Sequence, residues 1–355
     1  MTVRASLLFV LCMVALLLAI GCQRDQPNGL ESNHLAQVRE RGYVTCAGRN
    51  DVPGYGYIDD QGNNVGFDID LCRAVAAAVL GDSDAIRLRL ITALDRGPAI
   101  QSGEVDMLAR TVTRTTSRDA AWGNYVQTMF YDGQAFLVRE SSGISSAFEL
   151  RGATVCVTQG TTTELNLEEF SSQNALDITP LKFKDTSGVM SAYQQGQCDA
   201  FTNDRSQLAA LRTLMESPGS HIILPETISE EPLGPIVPHG DDQWFDIVKT
   251  VMAILINAEA YGVTSADVPT TPTGDTAVDR LLGLKGSFGQ EELGISMTAA
   301  QDVIRSVGNY GEIYERNFGP GGVYLPREGG RNALWADAPC SDCPKGGQIY
   351  AAPLR

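Results

Sequence analysis

The sequence predicts an α/β protein of two lobes, each built on a mostly parallel sheet, that close on one another about a hinge like a clam. Three observations carry this expectation. Strand-like and helix-like runs alternate through residues 44–108 and again through residues 153–201, the grammar of parallel sheet. The octet Ala99-Ile-Gln-Ser-Gly-Glu-Val-Asp106 recurs as Ala192-Tyr-Gln-Gln-Gly-Gln-Cys-Asp199, an A-x-Q-x-G-x-x-D repeat at equivalent places in the two series. In each copy the glycine is placed to end a helix in left-handed conformation before the chain turns into a strand. Finally, extended segments at Phe136-Leu-Val-Arg139 and at Gly234 to His239, the latter with Pro235 and Pro238 opposing helix, offer two crossings between lobes.

The elements follow in order. Val44-Thr-Cys-Ala47 reads as a strand, and Gly48 to Gly66 as a turn-rich excursion through Pro53-Gly-Tyr-Gly-Tyr57. Phe67-Asp-Ile-Asp70 leads into an apolar helix, Leu71 to Leu80. A strand at Ile86 to Ile91, a helix from Asp95 to Ser102 and the strand Val105 to Leu108 complete the first series. The second series runs through a strand at Ala153 to Val157, a helix at Thr161 to Phe170 and a strand at Leu181 to Lys184. A helix at Val189 to Gln194 and a strand at Cys198 to Phe201 complete it. After Asp241 or Asp242 as N-cap, Ile247, Val248, Val251, Ile254 and Leu255 share one face of a strong helix. Asp267 to Asp275 is a loop, Thr298 to Ser306 a helix, and Gly319 to Arg355 a Gly/Pro-rich tail expected to wrap the first lobe. The expected domains are 36–137 and 236–330 for the first lobe, 138–235 for the second and 331–355 for the tail.

The N-terminus sets the compartment. Arg4 precedes an apolar stretch, Leu7 to Ile20, of about fourteen residues, the length of a signal h-region. A spanning helix needs roughly twenty. The stretch ends in Leu18-Ala-Ile-Gly-Cys22, which resembles the lipobox of bacterial lipoproteins; residues 1–21 are then a signal peptide, Cys22 the lipid attachment site and 22–35 a polar tether. Roughly 330 residues remain, more than one core usually organises. A net charge of −16 argues against nucleic acid as a partner and keeps an exported chain soluble. Apart from Cys12 and Cys22, the cysteines are Cys46, Cys72, Cys156, Cys198, Cys340 and Cys343. An even number in an exported protein suggests disulfides, and the spacing alone leaves the pairing open. Cys340-Ser-Asp-Cys343 lies in the tail without βαβ context and reads as a local staple. The scattered His34, His221 and His239 give little support for zinc, so no metal or cofactor is expected.

Ligands of open parallel sheets sit beyond the carboxyl ends of the strands. In a two-lobed clam those ends face one cleft, so the loops after Ala47, Leu108, Val157 and Phe201 should surround it. They contain Arg49, then Arg110-Thr-Val-Thr-Arg-Thr-Thr-Ser-Arg118, then Thr158-Gln-Gly-Thr-Thr-Thr-Glu164, and then Thr202-Asn-Asp204. Together they offer guanidinium groups, a helix start and a carboxylate, the two charge signs that a zwitterion needs. Thr161-Thr-Thr-Glu164 also fits a capping box, and Asp204 fits an N-cap before Arg205.

Several segments make the resemblance specific: Phe67-Asp-Ile-Asp70 with its helix, Gln101 to Asp106 followed by Thr113 and Arg118, and Gly160-Thr-Thr-Thr-Glu164. Phe130-Tyr-Asp-Gly-Gln134, Ile222 to Ser229, Asp241 to Asp246 and Val307-Gly-Asn-Tyr-Gly-Glu312 add to it. Over residues 36–336 the chain resembles the polar amino acid solute-binding proteins of ABC importers, of the type 2 periplasmic-binding-protein fold. Within that family it is most similar to the general L-amino-acid binders. The resemblance implies that Arg118 forks onto a ligand α-carboxylate, completed by Thr113 and the amides of Thr162 and Thr163. It implies that Asp204 and the Thr111 carbonyl receive the α-ammonium. Arg49, Tyr55, Arg96, Arg110, Arg114 and Thr158 are candidates for the side-chain pocket, and their positive charge suggests that acidic amino acids are accepted. Where the family carries an aromatic residue this chain has Arg114, which weakens any expectation of an apolar preference. Pairs Cys46–Cys72 and Cys156–Cys198, each within one lobe, would stiffen the lobes and leave the hinge free.

The resemblance further implies a periplasmic, lipid-anchored monomer that hands ligand to a membrane permease and catalyses nothing. Two other classes compete. An amino-acid-related dehydratase on the same fold would need a general acid in the cleft, and only Glu164 is available in the four loops. A sensor domain would be joined to a spanning helix and a signalling module, and neither follows before Arg355.

Overall fold

The computed structural model describes residues 33–327, 330–335 and 347–355. The signal segment, Cys22, Cys340 and Cys343 lie outside them. Two five-stranded sheets organise the chain. In the first, Ile86–Leu90, Val44–Gly48 and Met107–Leu108 run parallel, and Ile236–Val237 and Asn124–Tyr125 extend the sheet antiparallel. In the second, Thr179–Phe183, Thr154–Thr158 and Ala200–Asp204 are the parallel trio, extended by the antiparallel Gln134–Arg139 and His221–Ile223.

The repeated octet does the same job in both lobes. Gly103 and Gly196 adopt left-handed φ of 70° and 77°. Asp106 accepts from the Thr45 N–H (2.7 Å) and returns its own N–H to the Thr45 carbonyl (2.9 Å). Asp199 does likewise to Thr154 (2.8 and 2.8 Å). Each aspartate thereby fixes the start of the strand on which its sheet is registered.

Over the first sheet lie the helices Phe67–Leu80, Asp242–Ala260 and Ala299–Val307. Val75, Ala76, Val248, Val251, Ile254, Val303 and Ile304 share one buried cluster. Ala-rich Phe67–Leu80 begins at Phe67, a turn earlier than expected, because Gly66 releases the chain and Asp68 and Asp70 favour a helix N-terminus. Asp241 caps Asp242–Ala260 by accepting from the Trp244 N–H (2.8 Å). No helix among the described residues is long and apolar enough to cross a membrane. Phe136, Val138, Val155, Val157 and Leu167 form the core of the second lobe.

Three sequence expectations are corrected. The excursion Gly48 to Gly66 contains a small antiparallel sheet, Asp51–Val52, Gly56–Ile58 and Asn64–Val65. Its strands are too short to show alternation. The helix Tyr310–Phe318 was missed although Asn309 and Glu312 form a full capping box. The crossings also come earlier: Gln134–Arg139 lies wholly in the second sheet, and the link is the ribbon Phe130–Asp132 with Glu231–Leu233. Gly133 and Gly234 end its two strands. At Gly234 a Cβ would collide with the Gln127 carbonyl, so a side chain there would push the end of the return strand away from the segment that leads into the ribbon. Disulfides join Cys46 to Cys72 and Cys156 to Cys198, one inside each lobe.

Candidate functional site

The carboxyl ends of the strands face one cleft of about 390 Å³, mouth included. Between the jaws themselves the free space is only about 30 Å³, far below the roughly 300–1,000 Å³ of usual small-ligand sites, so the jaws must part to admit a ligand. Arg49, Ala93, Arg96, Arg110, Thr111 and Thr113 line it from the first lobe, and Thr158, Thr161, Thr162, Thr163, Thr186, Asn203, Asp204 and Gln207 from the second. Of the predicted residues, Arg49, Arg96, Arg110, Thr111, Thr113, Thr158, Thr162, Thr163 and Asp204 are therefore brought together.

Three are not on that wall. Tyr55 is buried against Phe67, Phe130 and Phe318, with its hydroxyl 2.7 Å from Ser206 Oγ, so it joins the lobes behind the cleft. Arg114 is over half exposed, lies over the Tyr125 ring (5.3 Å) and is 3.8 Å from Asp119. Its side chain leaves the cleft because Thr113 and Thr115, on either side of it, take the inward and capping positions. Arg118 is buried directly behind Thr113. Its Nη1 donates to the Thr113 carbonyl (3.0 Å), and its guanidinium lies 4.9 Å from the Trp122 ring centroid. Its remaining guanidinium N–H groups have no hydrogen-bond partner among the described residues.

Thr111 is strained in a way that serves the site. Its φ of +44° is uncommon for a β-branched residue and costs about 1–3 kcal/mol. The buried Asp68 carboxylate holds it by accepting the Thr111 N–H (2.8 Å). Burial pushes Asp68 up to about 6, despite that N–H and the nearby Arg49 and Arg110. Asp70, the other acid of the motif, instead accepts from Arg316 (2.8 Å) and Asn317 (2.9 Å).

The helix Thr162–Gln173 presents its N-terminus to the cleft. Thr161 caps it by accepting the Glu164 N–H (3.1 Å), but Glu164 reaches past the capping-box position to accept from the Gly160 N–H (2.6 Å) and pairs with Lys182 (2.7 Å). Gly160 has left-handed φ of 72°, and a Cβ there would strike Leu94 across the cleft mouth. Asp204 occupies the N-cap position of Arg205–Arg212 without capping it; its carboxylate accepts from Gln207 Nε2 (2.6 Å) instead and stays free to face the cleft.

The charges are divided by lobe. Arg49, Arg96, Arg110 and Arg118 are all buried in the first, and among the described residues only Arg49 has an ion-pair partner, Asp51 (2.7 Å). Burial, then the guanidinium groups of Arg118, Arg110 and Arg49, holds Arg96 well below its ordinary pKa; burial and Arg49 lower Arg110 to about 9. On the facing side, burial and then the carboxylates of Asp132 and Glu231 raise Asp204 well above the usual carboxylate range. One jaw is short of an anion and the other of a cation.

The jaws are drawn together. Arg49 donates to Gln207 Oε1 and Thr186 Oγ1 (both 2.8 Å), and Arg96 to the Gly160 carbonyl (3.2 Å). Thr113 and Thr162 hydroxyls lie 3.3 Å apart. Sequence reasoning missed Thr186, Gln207 and Glu231. Glu231 is buried and accepts from Thr162 (3.0 Å), Asn166 (2.8 Å) and Ser229 (2.6 Å). It sits in the ribbon, outside any strand-end loop, so only the fold brings it to the site. Gln207 could have been found, since it follows Asp204 by one helical turn.

Residues 44–320 match the bacterial extracellular solute-binding proteins, family 3. The chain belongs to that family. It is 43% identical to the general L-amino acid-binding periplasmic protein AapJ of Rhizobium johnstonii, over 96% of this chain and 97% of that one. It is 41% identical to the glutamate/glutamine/aspartate/asparagine-binding protein BztA of Rhodobacter capsulatus, over 90% and 93%. The solved structure of an ABC transporter periplasmic binding protein from Brucella ovis, with glutathione bound, is 39% identical and superimposes with a TM-score of 0.85 over 91% of this chain and 99% of that one. The expected fold class, the two-lobed type 2 periplasmic-binding-protein fold, is that of this family.

Proposed function

We propose that this family member captures free L-amino acids, acidic ones included, in the interlobe cleft and delivers them to the permease of an ABC importer, without catalysis. The observation that carries the reading is the division of buried charge, with unpaired arginines on one jaw and Asp204 on the other. An α-carboxylate would be held by Thr113 and the N–H groups of Thr162 and Thr163, with Arg118 reaching it from behind Thr113 through its unbonded guanidinium N–H groups when the jaws part, and the helix start favours that charge. The α-ammonium would pair with Asp204 and the Thr111 carbonyl. A ligand thus bridges both lobes, binds the closed form better and shifts the population toward it. Arg49, Arg96 and Arg110 supply cationic wall for an acidic side chain.

A γ-glutamyl peptide is a second reading, favoured by the glutathione in the Brucella ovis relative. Its glutamyl end carries the same α-groups, and its distal carboxylate would meet the remaining arginines. The protein is proposed to work in the periplasm as a monomer, held to a membrane by lipid on Cys22.

The test is calorimetry of the soluble fragment from Gln23 with all twenty L-amino acids and with glutathione, repeated on Arg118→Ala. Binding of several amino acids that disappears in the variant supports the reading. Glutathione binding with no free amino acid binding favours the peptide, and no binding at all sinks both.

A further inference from the structure

The C-terminal segment meets the hinge through contacts that the ligand cleft does not require. Leu334 and Ile349 are buried in the main core of the first lobe and pair in a parallel bridge. The Tyr350 carbonyl accepts from Gln127 Nε2 (2.7 Å), and the Ala352 carbonyl from Asn257 Nδ2 (3.0 Å). The Gln348 N–H donates to the Arg331 carbonyl (2.8 Å), which ties the two described stretches of the tail together. The segment is thus fixed to one lobe.

From this base Asn332 reaches the hinge ribbon. Its Oδ1 accepts the Tyr131 N–H (2.6 Å) and its Nδ2 donates to the Tyr131 carbonyl (3.0 Å). Both main-chain groups of one hinge residue are therefore held by one side-chain amide. Tyr131 stands opposite Pro232 on the return crossing, two residues before Gly133. Arg331 approaches Glu230 on that crossing (3.8 Å), but both side chains are largely exposed and the pair contributes little. A cavity bordered by Tyr131, Asp132, Glu231, Pro232, Arg331 and Gln348 lies beside this contact.

Hinge closure is absorbed by a few φ/ψ changes, and a residue with both backbone groups clamped resists them. The clamp is engaged here together with the cross-cleft bonds of Arg49 to Thr186 and Gln207. We propose that Asn332 is a positioning residue for the hinge: it holds Tyr131 in the conformation of the closed cleft and so sets the share of protein that is closed. Without it the closed share falls, and because the binding-competent population enters every affinity as one factor, all ligands weaken alike.

The inference rests on the amino acid reading for its binding arm only. Asn332→Ala in the whole chain is compared with the unsubstituted protein by calorimetry with L-glutamate and L-leucine, and by small-angle X-ray scattering without ligand. The expected result is a loss of roughly five- to tenfold for both ligands with their ratio kept, and a larger ligand-free radius of gyration. Unchanged binding and radius, even with a lower Tm, would mark Asn332 as merely structural and overturn the proposal. So would a loss confined to one ligand. If the unsubstituted protein binds neither ligand, the amino acid reading fails, and the scattering comparison still decides the hinge.

Discussion

In the first lobe Asp106 anchors the sheet through Thr45, and in the second Asp199 anchors it through Thr154 by the same pair of bonds. The strand orders correspond as well, a parallel trio extended by two antiparallel strands in each lobe. What differs is the chemistry carried at the strand ends. The first lobe buries four arginines there, and the second offers a helix start and Asp204. A repeated scaffold fixes where the loops stand, and the loop sequences decide which charge each jaw presents. On the proposed reading, neither jaw alone offers charged side chains for both ends of a zwitterion. A ligand that meets both jaws then adds to the direct cross-cleft bonds and so favours the closed form.

The largest expected effect comes from removing one jaw's charge. Arg118→Ala should weaken every amino acid by at least about a hundredfold, since a charge-assisted bidentate contact is lost from a desolvated site. A loss seen only for acidic ligands would move the α-carboxylate to another arginine. Next come the lobe staples. Removing Cys156–Cys198, with a separation of 42 residues, should cost about 2–4 kcal/mol, and removing Cys46–Cys72, with 26, slightly less. Chemical denaturation of Cys→Ser pairs checks this. Ligand affinity that collapses in either would show that the bridges hold the cleft as well as the lobes.

The anchors sharpen the comparison further. Asp106 is buried and also pairs with Arg41, whereas Asp199 is exposed. Asp106→Asn should therefore destabilise by about 2–3 kcal/mol and Asp199→Asn by about 1 kcal/mol or less. Equal costs would mean that burial does not distinguish the two copies.

The smallest effect is one of pH. Asp204 is raised above its unfolded value near 3.8, so the ligand-free protein binds its proton more tightly than the unfolded chain. That contribution to stability is full below about 3.8 and is lost as pH rises through the raised folded value. Ligand binding has the opposite sign, because the ammonium needs an ionised Asp204: affinity should rise with pH over the same window and fall on acidification. Calorimetry in buffers of different ionisation enthalpy should show proton release, and Asp204→Asn should abolish it.

Most of the fold was legible because its signals are local: alternation, the repeated octet and glycines at helix ends. The site was legible where residues follow strand ends, as Arg110, Thr111 and Asp204 do. It was not legible at Glu231, which reaches the cleft only through the ribbon pairing, or at Asn332, which reaches the hinge only through the packing of the tail on the first lobe. Tyr55 and Arg114 were near the cleft in sequence, but one faces the aromatic core and the other solvent.

The central claim is that the charged partners of the ligand's two α-groups lie on opposite jaws, Arg118 on the first and Asp204 on the second. It is tested most directly by titrating L-glutamate and its des-amino analogue glutarate into the unsubstituted protein and into Asp204→Asn. The account predicts that the substitution weakens glutamate by about a hundredfold and leaves glutarate unchanged or improved, since only the ammonium meets Asp204. Equal losses for both ligands, or none for either, would contradict it.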